Sequence, residues 1–431
     1  MSNRKIVANA SWIMVGRVFQ LGLTFITTML VTRYLGPAEF GKLNYIYSYI
    51  QLFLPLCTMG MNDIVVKQLV DNRDKNDEIL GTMIVIRLTA SLVSMACSVL
   101  LVNAFNGREG YVLIAVLQSF SLLFQSFDCI MYFYQSRLLS RKSGTVYALA
   151  YILSSVFRIA GIILKKDIRW FAFAMSLDYI MIAILLLRVY LSDGHRFGFS
   201  FRTAKDLLRK SYHYIFAGIL IVIYGKVTDV LLLGKMVDET TVGYYSAATT
   251  LCNAWPFVLT AIIDSLSPVI IDTFKTDEDR FKTKIRQLYA LVFYISLAVA
   301  AAIVPLAGFI IMTLYGADYS PAVVPLRIFA FSTIFSYLGV ARTSWMQCRK
   351  MTRYEVYISL FGAVTNIILN YILIQRYGIA GAAAAAVLTQ FLTNFIFLFA
   401  MRDTRENAKL ILDAIMLKGI SDKEDNANVQ E

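Results

Sequence analysis

Residues 287–314 read QLYALVFYISLAVAAAIVPLAGFIIMTL, a run without one charged side chain. Wound as an α-helix at 1.5 Å per residue, it is about 42 Å long. That exceeds the ~30 Å hydrocarbon core of a bilayer. A membrane β-barrel would instead alternate apolar and polar residues in ten-residue segments. The run is continuous and rich in Leu, Ala, Ile and Val, so it reads as a spanning helix, which satisfies its backbone internally.

The rest of the chain repeats this pattern. Of the 431 residues, 58% are hydrophobic and 16% charged, against about 45–50% and about 25% in soluble domains. The charges cluster between long apolar runs. Twelve spans are expected, at 8–32, 43–66, 81–102, 111–133, 145–164, 169–191, 213–236, 243–271, 287–314, 322–345, 354–375 and 379–401. Asp178 interrupts the sixth, and the eighth contains Pro256 and Pro268. No soluble domain of any size remains.

The basic residues orient these spans. With the N-terminus cytoplasmic, 26 of the 41 Lys and Arg fall on the inside, 8 outside and 7 within spans. Basic loops stay on the cytoplasmic side, so both termini are expected inside. The net charge of +12 is a topology signal. Nucleic-acid binding would need a concentrated basic patch on a soluble face, and the chain has none. The first span lacks a small-residue cleavage site and reads as retained.

Catalytic and metal-binding patterns are missing. Cys57, Cys97, Cys129, Cys252 and Cys348 are scattered without disulfide or metal spacing. His195 and His213 have no Cys or Glu cluster beside them. No G-x-S-x-G, Walker loop or H-E-x-x-H occurs. No cofactor is expected, apart from a coupling ion, H+ or Na+, that the sequence leaves undefined.

Two turns about 200 residues apart match. One is Leu35-Gly36-Pro37-Ala38-Glu39-Phe40-Gly41; the other runs from Leu233-Gly234 through Asp238-Glu239 to Val242-Gly243-Tyr244. Each follows the first span of a six-span half, suggesting two lobes in parallel repeat. The expected division is an N-terminal six-helix lobe over 1–192, a cytoplasmic connection over 193–212, a C-terminal six-helix lobe over 213–401 and a cytoplasmic tail over 402–431. Within the connection, Thr203 to Tyr212 reads as an amphipathic surface helix along the inner leaflet.

At these residues the chain resembles the polysaccharide repeat-unit flippases of the multidrug/oligosaccharidyl-lipid/polysaccharide exporter superfamily. The resemblance rests on Asn9-Ala10-Ser11-Trp12 with Arg17, and on Arg33-Tyr34-Leu35-Gly36-Pro37-x-x-Phe40-Gly41. It also rests on Lys226-x-x-Asp229-x-x-Leu232-Leu233-Gly234 and Gly378-Ile379-x-Gly381-Ala382-Ala383. It implies an all-α polytopic fold: about twelve transmembrane helices in two six-helix lobes around a central cavity that opens alternately to either side. It implies a polyprenyl-diphosphate-linked oligosaccharide as substrate, residence in the bacterial cytoplasmic membrane, and assembly enzymes as partners.

That substrate makes a chemical demand. A diphosphate in hydrocarbon needs cations or oriented donors, although each basic residue costs ~2.5–3.5 kcal/mol at a helix centre on insertion scales. Arg17, Arg87, Arg158, Arg188, Lys226, Arg327 and Arg342 lie within spans, with fewer acids, chiefly Asp128, Asp178, Asp229 and Asp264. The candidate substrate-binding set is Arg17, Arg87, Arg158, Lys226, Asp229 and Arg342. Arg188 and Arg327 sit near span ends, where snorkelling is the plainer reading. Lys226 and Asp229 share a helical face: the pair either neutralises itself or opens when a diphosphate arrives. Tyr132, Tyr134, Tyr224 and Tyr245 are candidates for stacking on sugars, Asn366 and Asn370 for interhelical hydrogen bonds or sugar contacts. Gly381 to Ala386 reads as a small-residue packing face. Two other functions compete: an organic-cation antiporter of the same architecture, which would need cavity acids, and a glycan polymerase or ligase, which would need a sizeable outer loop.

Overall fold

Two glycines divide the chain's two longest helical stretches. The computed structural model describes residues 3–60, 62–107, 110–351 and 353–420; the side chains at 3–15, 17, 62–64, 67, 213, 214 and 217 lie outside that description. Every regular element among the described residues is helical. The chain divides into two compact units, Met1–Val222 and Ile223–Glu431.

The first unit holds α1 (Asn3–Gln51), α2 (Leu54–Thr58), α3 (Asn62–Asp71), α4 (Asn76–Phe105) and α5 (Tyr111–Gln125), then α6 (Cys129–Ser136), α7 (Ser140–Ile163), α8 (Ile168–Ser192) and α9 (Phe201–Val222). A straight helix the length of α1 would reach about 73 Å. Gly36 divides it, with φ 71° and ψ 173°, a conformation that needs no Cβ, and Pro37 follows. Hydrogen bonds fix the directions of the two limbs. Gln20 Nε2 donates to the Tyr151 hydroxyl at 2.6 Å and the Tyr34 hydroxyl to the Lys166 carbonyl at 3.0 Å, so the first limb runs parallel to α7. Past Gly36, the Tyr45 hydroxyl donates to Asn106 Oδ1 at 3.1 Å and Arg87 Nη2 to the Thr58 carbonyl at 2.8 Å, so the stretch from the second limb through α2 runs antiparallel to α4. Ser176 Oγ on α8 donates to the Leu117 carbonyl of α5 at 2.7 Å, and these two helices run together.

The second unit holds α10 (Thr228–Met236), α11 (Glu239–Cys252), α12 (Phe257–Thr276), α13 (Glu278–Leu314), α14 (Val323–Phe329), α15 (Ser332–Cys348), α16 (Arg353–Phe391), α17 (Phe397–Ala400) and α18 (Arg405–Ile415). Asp238 caps α11, its Oδ1 accepting the Thr241 amide at 2.6 Å. Gly378, at φ 54° and ψ −128°, divides α16. A Cβ on Gly381 would collide with the Leu373 carbonyl. Residues eight apart lie about 12 Å apart along a straight helix, so the chain reverses here. Ala382, Ala383 and Ala385 are buried beside it, and small residues are what lets helices approach in lipid.

Helix makes up most of each of the twelve expected spans among the described residues, and the chain is an all-α, multi-pass membrane protein. Eight helices among the described residues are long and apolar enough to cross singly, or nine counting Ala317–Phe329 with Ser332–Cys348 as one span bent by 45°. The difference from twelve has local causes. Spans one and two, and eleven and twelve, merge across Gly36 and Gly378. Span eight breaks between Cys252 and Phe257, but α12 after it, with Pro256 at its N-cap, still counts as a span. Span seven is interrupted by a π-helical turn at Ile223–Val227. Asp178 does not interrupt α8, which runs unbroken. The amphipathic stretch at Thr203–Tyr212 is continuous with the span that follows, in α9.

Candidate functional site

Irregular backbone at membrane depth is tolerated where it is buried in protein or lines a cavity. The second unit gathers several such breaks around one cavity of about 150 Å³. Tyr224, Gly225 and Lys226 come from the π-helical turn, where Gly225 has ψ −162°. Asn253 comes from the α11–α12 break, and Phe329, Ser332, Thr333, Ser336 and Tyr337 from the α14–α15 bend. Gln390 lies just before a second π-helical turn, Leu392–Ile396.

Asp229 forms the floor of the cavity and is 2% exposed. Its Oδ2 accepts the Tyr245 hydroxyl at 2.6 Å. Its Oδ1 accepts Asn366 Nδ2 at 3.0 Å and Asn370 Nδ2 at 2.7 Å. A buried carboxylate is stable only when so served. Lys226, half-buried one turn earlier, makes no ion pair within 4.0 Å among the described residues. The two are therefore not in direct ion-pair contact, although each lies within reach of the other's charge. Asp229 is satisfied by neutral donors, and the Lys226 ammonium lines the cavity with hydroxyls and two side-chain amides.

A polar chain runs on from the wall. Asn394 Nδ2 donates to Gln390 Oε1 at 2.8 Å, and Asn394 Oδ1 accepts Arg342 Nη1 at 3.1 Å. Arg342 is buried at 6% exposure, and its Nε has no hydrogen-bond partner among the described residues. Two glycines permit this packing. A Cβ on Gly339 would strike the Asn394 amide, and one on Gly362 would stand 3.1 Å from Thr393 Oγ1 and 3.3 Å from Tyr224 Cγ.

The other candidates lie in the first unit. Arg87 is buried and donates to the Thr58 carbonyl at the end of α2. Arg158 is ion-paired with Asp178 and also donates to the Ala174 carbonyl at 3.3 Å. Asp128 accepts the Tyr147 hydroxyl at 2.8 Å. Arg17 lies on α1, its side chain outside the described residues. Of the tyrosines singled out, Tyr224 lines the cavity, Tyr245 bonds Asp229, and Tyr134 donates to Asp193 at 2.9 Å. Arg188 is exposed towards the end of α8, and Arg327 donates to the Val304 carbonyl at 3.1 Å. Ser332, Thr333, Ser336, Tyr337 and Gln390 were not singled out from sequence. The signal was present, because residues 332, 333, 336 and 337 form a polar stripe at helical spacing.

Comparison with known proteins fits this architecture. Residues 6–274 match the family model described as polysaccharide biosynthesis protein, and residues 214–372 match the MatE model. A putative O-antigen transporter of Escherichia coli K12 is 21% identical over 398 residues, 89% of this chain and 93% of that one. A probable flippase, AglR, of Haloferax volcanii is 28% identical over 181 residues, covering 40% of this chain and 37% of that one. Among solved structures, the lipid II flippase MurJ in an inward closed conformation superposes with a TM-score of 0.73 at 14% identity, over 95% of this chain and 91% of that one. The chain belongs to the polysaccharide biosynthesis protein family and shares its fold with these membrane transporters.

Proposed function

We propose that the protein carries a polyprenyl-diphosphate-linked oligosaccharide from the inner to the outer leaflet of a bacterial cytoplasmic membrane, with both termini cytoplasmic. The single observation that carries this reading is the division of labour at Asp229. Three neutral donors hold its carboxylate, and the neighbouring Lys226 ammonium faces a cavity without an ion-pair partner among the described residues.

Electrostatics favours an anionic occupant. An intramembrane lysine costs ~2.5–3.5 kcal/mol on insertion scales. A phosphate oxygen about 4 Å away returns about 4 kcal/mol at an effective dielectric near 20. At about 30 Å³ per water, the cavity of about 150 Å³ holds about five waters. That admits a phosphate-sized group and no sugar chain, so the glycan would sit elsewhere. In this reading Lys226 attracts the anion, Ser332, Thr333 and Ser336 donate to its oxygens, and Arg342 steadies the wall through Asn394 and Gln390. Transport in this reading goes by alternating access. Assembly enzymes of the same polysaccharide are the natural partners.

The test is reconstitution of the purified protein in liposomes carrying a fluorescent polyprenyl-diphosphate oligosaccharide, with a fluorescent organic cation in a parallel set. The reading expects the glycolipid to change leaflet and the cation to stay. Movement of the cation alone would replace the flippase by an antiporter and turn attention to Asp128, Asp178 and Asp229.

A further inference from the structure

A second cavity, of about 820 Å³, opens at one end of the first unit and is far more basic than the first. Its size falls in the range of about 300–1,000 Å³ usual for small-ligand sites. Gln68 and Asn72 from the end of α3 line it, with Lys75 and Glu78 at the start of α4 and the stretch Ser200–Lys210 that opens α9.

The charges do not cancel. Asp206 is paired with Lys210 at 2.6 Å, and Glu78 Oε1 accepts the Thr203 hydroxyl at 2.7 Å. Lys75, Arg202, Lys205 and Arg209 are exposed and make no ion pair within 4.0 Å among the described residues. Large apolar side chains flank them: Phe201 is 82% exposed, Phe199 46% and Leu208 40%. Cations beside exposed aromatic and aliphatic groups at the end of a span match a bilayer surface, where headgroups meet acyl chains.

The scaffold is built to hold this geometry. The Gly198 amide donates to the Asp77 carbonyl at 3.0 Å, and the Tyr190 hydroxyl to Asp77 Oδ1 at 2.6 Å. The Ser200 amide donates to Thr82 Oγ1 at 3.0 Å. A Cβ on Gly81 would collide with the Gly198 backbone. The connection is thus clamped across the start of α4, and the cations at the head of α9 sit over a fixed floor.

We propose that this groove binds the headgroup of an anionic phospholipid of the adjacent leaflet, with Arg202, Lys205 and Arg209 on the phosphate and Phe199 and Phe201 among the acyl chains. The site is separate from the Lys226 cavity and stands whether or not that cavity carries substrate.

Native mass spectrometry of the detergent-extracted protein, titrated with phosphatidylglycerol and separately with phosphatidylcholine, tests it. The full chain is compared with the triple variant Arg202→Gln/Lys205→Gln/Arg209→Gln. A control variant, Lys165→Gln/Lys166→Gln/Arg169→Gln, removes equal charge at the other end of the unit. Each cation near an anionic lipid surface strengthens binding by roughly a factor of five. The triple variant should therefore retain phosphatidylglycerol roughly a hundred-fold more weakly, with the control unchanged and phosphatidylcholine not retained. Equal retention by the triple variant, or retention of phosphatidylcholine as readily, would overturn the proposal. Displacement of phosphatidylglycerol by equimolar polyprenyl diphosphate would also overturn it, giving the groove to the transported lipid. If the triple variant does not survive extraction, Arg202→Gln alone should weaken retention roughly five-fold, and no change there would overturn it equally.

Discussion

Asp229 accepts the hydroxyl hydrogen of Tyr245 at 2.6 Å across the reversal between α10 and α11. With the two asparagine amides on its other oxygen, that bond lets a buried carboxylate stand one turn from a lysine without claiming it.

Removing the amides should change this balance. In Asn366→Ala/Asn370→Ala, Asp229 loses two donors, and hydrogen bonds to charged groups are worth about 1.5–3 kcal/mol each. The carboxylate should then turn to Lys226 and occupy the charge meant for the anion. We expect glycolipid translocation to fall by about tenfold or more while the protein still elutes as one species. Unchanged translocation would show that Lys226 was never kept free by Asn366 and Asn370.

Arg158 and Asp178 form a largely buried ion pair in the first unit. Removing one member of such a pair costs about 3–5 kcal/mol, whereas removing both costs much less. Arg158→Ala should therefore lower the melting temperature in detergent, and Arg158→Ala/Asp178→Ala should recover most of the loss. A stable Arg158→Ala protein without transport would assign Arg158 to substrate instead.

The hairpin at Gly378 depends on the absence of a side chain at Gly381, whose Cβ would meet backbone. Gly381→Ala should destabilise by about 1–3 kcal/mol or more, as over-packing does. Gly308→Ala is the control, because nothing lies within 4 Å of its Cβ position. Thermal unfolding in detergent separates the two; equal melting temperatures would refute the close approach.

Asp193 lies beyond the membrane-spanning segments. Its bond from Lys142 at 2.6 Å, helped by Tyr134 at 2.9 Å, holds its carboxyl below the usual range. A carboxyl lowered on folding stabilises the native state fully above its unfolded value, about 3.9, and loses that contribution as pH falls through its folded value. Asp193→Asn should therefore be less stable than the parent at neutral pH. The gap in melting temperature should close as the pH is taken well below 4, and a gap constant with pH would contradict this linkage.

Much of the fold was legible in the sequence because hydrocarbon imposes a coarse rule: uncharged runs of sufficient length become helices. Thus 287–314 stands in α13, and the turns at Gly36 and Gly378 fall between runs. The partners of the charged residues were not legible. Asp229 and Asn370 are 141 positions apart, and Arg158 and Asp178 belong to different spans. Side chains facing each other across helices leave no mark on local periodicity. The cavity was hidden for a related reason. Its wall is made of breaks at Gly225, Asn253 and Phe329, and only tertiary packing decides which breaks meet.

The measurement that tests the account most directly is the rate of glycolipid translocation by Lys226→Ala and Lys226→Arg in the same liposomes as the parent protein. A free cation serving the anion predicts a loss of about tenfold or more in the alanine variant, with a substantial part of the rate kept by arginine, and no change in elution or melting. Parental translocation by Lys226→Ala would contradict the cationic site in the second unit.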